Sequence, residues 1–247
     1  MSSTSTRTRT DRPAARRRWP WVLVVLVLVL GALAAVLGPR LYARSQEGRA
    51  AAPLSSPAAG AAAPTAAAPT AAADDPALEG AWTVTGGTAG YRVDEVLNGQ
   101  DVTVTGRTER VGGELTVAGG ALTAGTVTVD LASVTTDSGA RDGQFRRLLG
   151  VEANPDATFT LTGPVPLGGL DEGTALALTL PGTLTLNGRD RDVQVPATAQ
   201  RTAEGTVTVT GAVPVTWADF GVQAPDLGFV SVEDTGTVEF AVTAAPA

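Results

Sequence analysis

The sequence predicts an all-β, antiparallel domain, a barrel or a sandwich, over residues 79–247. Three observations carry this. From Leu78 onward the chain breaks into ten short segments in which apolar and polar residues alternate. Those segments are rich in Val and Thr and are bordered by Gly, Asn, Asp or Pro, as strands are. Only one stretch has helical spacing, so the crossover helices that a parallel sheet needs are missing.

In chain order the alternating segments begin at Trp82 (WTVTG), Tyr91 (YRVDEV), Asp101 (DVTVTGRT), Glu114 (ELTVAGG) and Ala121 (ALTAGTVTVDLASVTT). The helical stretch is next, Ser138 to Leu149, with Asp137 or Ser138 as N-cap and Phe145, Leu148 and Leu149 on one face at i, i+3, i+4. Strands then resume at Ala157 (ATFTLTG), Ala175 (ALALTLPGTLTL), Asp192 (DVQVPATAQ), Thr206 (TVTVTGAVPVTW) and Gly236 (GTVEFAVTA). Leu180 to Val195 reads as a hairpin. A two-residue Asn187-Gly188 turn sets Leu184 opposite Arg191 and Leu186 opposite Arg189, mixing apolar and charged groups on one face. A four-residue loop, Asn187 to Asp190, sets Leu184 opposite Val193 and makes the face coherent, so the longer loop is expected.

Upstream lie three further regions. Residues 1–20 carry six Arg against one acid and form a basic tail. Residues 21–38 are an almost unbroken apolar run, WVLVVLVLVLGALAAVLG, flanked by Trp19, Trp21 and Tyr42. As a helix it would span about 27 Å, the thickness of a bilayer's hydrocarbon. The run is longer than a signal-peptide core, and Gly38-Pro39-Arg40-Leu41 is a poor cleavage site. A single-pass membrane anchor is expected, with the N-terminus cytoplasmic and the C-terminal domain extracytoplasmic by the distribution of Arg. Residues 39–78 are mostly Ala, Pro, Thr and Ser and read as a disordered linker. Some thirty such residues, extended, would reach on the order of 100 Å.

Composition removes most chemistry. The chain has no Cys and no His, and all 18 basic residues are Arg. There is no thiolate, imidazole base, Schiff-base lysine or ordinary zinc site, and no cofactor or metal is expected. Residues 79–247 hold 9 Arg and 21 acids, a balance that repels nucleic acid. Glycine pairs occur at 86, 112, 119 and 168, but none opens a helix after a strand as a phosphate loop would. The acidic pairs Asp94-Glu95 and Glu233-Asp234 have no partner in the sequence that would make them an acid/base couple.

Alternation gives one apolar inner face: Val127, Val129, Leu131, Phe159, Leu161, Leu184, Leu186, Val193, Val195, Val207, Val209 and Val215. Phe145, Leu148, Trp217 and Phe220 are candidates for a plug or mouth. Such side chains either fill the barrel or line a ligand cavity. With five Phe, two Trp and one Tyr in the domain, the interior is built of slim residues that fill space poorly. Arg141 and Asp142 either contact a polar head group or form a solvated first helical turn.

The order of these segments resembles the YceI-like lipid/polyisoprenoid-binding family. Trp82-Thr83-Val84 with Tyr91-Arg92-Val93-Asp94-Glu95 is similar to its opening strands. Val127 to Thr136 followed by Arg141-Asp142 resembles its long strand and helix start. Asn154-Pro155-Asp156-Ala157-Thr158-Phe159, Gly182 to Gly188, and Asp219-Phe220-Gly221 match later motifs. Leu148 and Leu149 stand where the family often has two Phe. The resemblance implies an extended lipocalin-like barrel with one short helix, enclosing an apolar cavity for an isoprenoid lipid such as a quinone or polyprenyl phosphate. It implies binding, with transport or storage, and no enzyme activity, and it leaves room for a homodimer. The other reading is a structural or adhesive cell-envelope module with a packed core.

Overall fold

The computed structural model describes residues 51–54, 75–226 and 228–247. The basic tail (1–20), the apolar run (21–38) and most of the linker (39–78) lie outside them. Among the described residues no helix is long and apolar enough to cross a membrane.

The strands are β1 (Gly80–Leu97), β2 (Gln100–Thr108), β3 (Val111–Ala118), β4 (Ala121–Asp130), β5 (Asp156–Leu161), β6 (Val165–Pro166), β7 (Ala175–Leu186), β8 (Arg189–Arg201), β9 (Val207–Thr216), β10 (Val230–Val232) and β11 (Thr235–Pro246). Among the described residues there is one α-helix, α1 (Gly139–Leu148). All named strand pairings are antiparallel, and the order β1-β11-β9-β8-β7-β5-β4-β3 closes through β1–β3 into an eight-stranded barrel.

β1 is one strand of 18 residues where alternation suggested two. It passes through Gly86-Gly87 with a register shift between Val84 and Gly86, and serves two partners on one edge. Its start pairs β3 and its end pairs β2.

The hairpin at Asn187 corrects the expected loop. Leu184 pairs Arg191 and Leu186 pairs Arg189, across a two-residue turn in which Asn187 and Gly188 have φ of 51° and 66°. Asn-Gly takes these left-handed angles at low cost, and the twist of such a turn matches the strands. That local preference outweighs face coherence because β8 pairs β9 only from Ala197 to Arg201. Toward β9, Arg189–Pro196 of β8 have no ladder partner, so Arg189 and Arg191 stay exposed although they share a face with buried Leu184 and Leu186. On the outer face Thr183 and Thr185 donate to Asp192 (3.0 Å) and Asp190 (2.7 Å).

β4 ends at Asp130, whose Oδ1 accepts from Ala132 N (2.8 Å) and Ser133 N (3.3 Å) and caps a 3₁₀ turn, Leu131–Ser133. α1 follows with Ser138 at the N-cap position, though its hydroxyl makes no capping bond. Asp142 holds the start instead: its buried Oδ1 accepts from Thr136 N (2.8 Å) and Oγ1 (2.7 Å).

The core divides by end. At the α1 end Leu131, Leu149, Val151, Leu186, Val215 and Phe220 are buried together. At the other end Leu78, Trp82, Leu167 and Leu170 close the barrel, with Trp82 Nε1 donating to Leu78 O at 2.8 Å.

Candidate functional site

Between these two plugs lies a cavity of about 180 Å³, lined almost wholly by aliphatic and aromatic side chains from the inner faces of the strands. Water needs about 10–15 Å³ of such space per molecule together with two to four polar partners. The lumen has room for on the order of ten waters and almost nothing to bind them. Inward-facing Val127, Phe159, Val193 and Val209 remain only partly buried, although they point into the barrel. Their free surface faces the void.

Ring placement helps to keep the space open. Phe240 lies over its cross-strand partner Gly211, so that a Cβ there would come within 2.5 Å of the ring. Phe159 lies over Gly182, two residues along β7 from its partner Leu184. Each ring folds into the gap left by a missing side chain and lies along the wall.

Of the residues expected on the inner face, Val127, Val129, Phe159, Leu161, Leu184, Val193, Val195, Val207 and Val209 line the cavity. The structure places the others elsewhere. Leu131, Leu186 and Val215 are buried in the α1-end plug beside Phe220, with Phe145, Leu148 and Trp217 packed against them. Alternation assigns a face but not a height along the barrel, which is why plug and lumen looked alike. Trp82, Val84, Val117, Val238, Phe240 and Val242 are among the further wall residues that were missed. Their signal was present, since all six sit in alternating segments.

Arg141 is held between Asp137 (2.5 Å) and Glu95 (3.1 Å), and Asp142 is bonded to Thr136. Both side chains are engaged within the chain. Beside them Tyr91 stacks on Phe145, with ring centroids 4.9 Å apart and planes 6° apart. Burial pushes the Tyr91 phenol up to about 12. The folded form then keeps its proton when the unfolded form, near 10, has lost it. Stability from this group is complete below pH 10 and is lost as pH rises toward 12. Wild type is expected to lose on the order of 2–3 kcal/mol more than Tyr91→Phe across that window, read from denaturant unfolding at each pH. Parallel curves for the two proteins would show the phenol to be unperturbed.

A second charged cluster sits on the outer face and was not anticipated. The Glu239 carboxylate, 4% exposed, is bridged by Arg92 (3.0 Å) and by Arg107. Burial pulls the Arg107 guanidinium below its ordinary value. Residues 51–54 lie across this cluster. Arg92 donates to Ala51 O (2.5 Å), Leu54 N donates to Glu239 (3.3 Å) and Ala51 N donates to Thr105 Oγ1 (3.2 Å). Among the described residues no group of acidic side chains converges in a way that would hold a metal ion.

The YceI-like domain family matches residues 82–244. A solved polyisoprenoid binding domain from Saccharophagus degradans, implicated in plant cell wall breakdown, superposes with a TM-score of 0.56 at 21% identity, covering 68% of this chain and 100% of that one. BcnA of Burkholderia cenocepacia gives 0.48 at 22% identity, covering 63% of this chain and 96% of its own. The YCEI protein of Campylobacter jejuni gives 0.42 at 17% identity, over 56% and 83%. No curated protein sequence matches. At such identities the first superposition speaks for the fold.

Proposed function

The chain belongs to the YceI-like family, and on that premise we propose that its barrel binds the hydrocarbon chain of an isoprenoid lipid non-covalently. The observation that carries this reading is the apolar cavity of about 180 Å³ between two plugged ends. Each buried CH₂ contributes about 0.8 kcal/mol before ordering costs, so a few isoprene units suffice for retention. The polyisoprenoid binding of the Saccharophagus degradans domain, which shares the fold, supports the ligand class. The lumen offers a charged head group no partner, so the polar end of a quinone or polyprenyl phosphate stays at the wall or outside.

The role is carriage or storage rather than catalysis. Residues 21–38 anchor the chain in the cell membrane and the Ala/Pro-rich stretch sets the barrel outside it, as the flanking Arg and the hydropathy support. A packed cell-envelope module would need a lumen filled by its own side chains, and the void speaks against that.

One experiment addresses both ligand and place. Protease added to intact cells is expected to release a fragment that retains residues 75–247, and mass spectrometry of that fragment is expected to find stoichiometric isoprenoid. A released fragment without lipid overturns the binding reading. A chain cut only after lysis overturns the location.

A further inference from the structure

The two plugged ends raise the question of how a guest reaches the lumen, and the pairing register answers it. On one edge of β1 the ladder runs from Leu97 to Ala89 against β2 and from Thr83 to Gly80 against β3. Ala89 pairs Thr108 and Thr83 pairs Glu114, so the register is the same on both sides of the break. Between them Val84–Thr88 of β1 and Glu109–Gly113 have no ladder partner across this edge. Five unpaired residues on each side, six steps from Thr83 to Ala89, make a slit about 20 Å long.

Each lip packs closely against the strand on its other side. Gly87 presses β1 against β11: a Cβ there would meet Ala241 O and lie 2.6 Å from Val242 Cα. Gly113 presses β3 against β4: a Cβ there would meet Thr126 O and lie 3.0 Å from Val127 Cα. Asp130 N donates to Arg110 O at 3.1 Å, and the Arg110 guanidinium is 3.6 Å from the Asp130 carboxylate, which ties the bend to β4 as well. At Gly86 and Gly112 a Cβ would meet nothing within 4 Å. The cavity-lining Val84 and Val111 lie within the break and Ala89 borders it.

We propose that this slit in the wall, between Val84–Thr88 and Glu109–Gly113, is the portal through which the hydrocarbon chain enters and leaves. The proposal rests on the lipid-binding reading. Passage through the slit breaks no ladder hydrogen bond, because none is present there. Passage through either end would unpack a buried cluster. Gly112 shares the outer face with exposed Glu114 and Thr116, so a large side chain at Gly112 covers the slit without entering the lumen.

The test uses the full-length chain with Trp19, Trp21 and Trp217 changed to Phe, so that Trp82 at the lumen wall is the sole reporter. A short prenylquinone is added, and its ring quenches Trp82 on loading. In Gly86→Phe, Gly112→Phe and the double variant, loading is expected to slow at least tenfold while the final quench is unchanged. Equal rates with equal final quench overturn the portal and leave the binding reading intact. No quench in any protein overturns both. Should the Phe variants unfold, Gly112→Cys supplies the only thiol in the chain. Loading is then compared before and after a bulky maleimide is attached to the folded protein, and only the modified form is expected to be slow.

Discussion

Filling the lumen from two sides, with Val127→Phe and Val209→Phe together, is expected to leave the barrel folded and to lower isoprenoid retention by at least a hundredfold. The two valines stand on β4 and β9, four strands apart in either direction around the eight-stranded ring, so the new rings meet across the void. Overpacking in a dense core costs about 1–3 kcal/mol. Here both side chains are only partly buried and face an open cavity, so the rings bury fresh apolar surface of their own. The sign of the stability change separates the two situations. A rise in Tm with loss of bound lipid is the result a functional cavity gives. A fall of several degrees with lipid still bound would place the guest somewhere other than this lumen.

The same contrast shows what the residue pattern could reveal. Period-two alternation located the strands, and turn residues located their ends, because both are local. The exception at Asn187-Gly188 is instructive. The inference about side-chain parity was sound in isolation, but it assumed that every residue of the hairpin faces a core. Leu184 and Leu186 do face the core, but Arg189 and Arg191 stand on a stretch of β8 that β9 does not cover, so they stay solvated and the turn sets the register. The lumen was half legible. Val127 and Leu131 are four residues apart on one face, yet one borders the void and the other is buried in the plug. Only the closed ring fixes height along the axis. Glu239 was not legible at all, since its two arginines lie 147 and 132 residues away and meet it only through register. Its neighbours Val238 and Phe240 line the lumen, which leaves the Glu239 side chain on the outer face, where a carboxylate needs no explanation.

That carboxylate carries the second large effect. Removing one member of a buried ion pair costs about 3–5 kcal/mol, because the surviving charge is left without a partner. Arg92 and Arg107 keep 21% and 16% of their side-chain surface, which lets water relieve part of the penalty. Glu239→Leu is therefore expected to cost about 3 kcal/mol, or about 6–12 °C in Tm for a domain of this size. Arg107 cannot easily turn away, since its Nη1 also donates to Tyr91 O (3.1 Å) and its Nε is already buried without an acceptor among the described residues. Adding Arg107→Met to Glu239→Leu removes the worse of the two stranded charges and is expected to recover most of the loss. Leu54 N loses its acceptor in both proteins, so hydrogen exchange at Leu54 is expected to quicken in both, whatever happens to Tm. A single variant that melts within 2 °C of wild type would show that the cluster holds residues 51–54 in place without holding the barrel together.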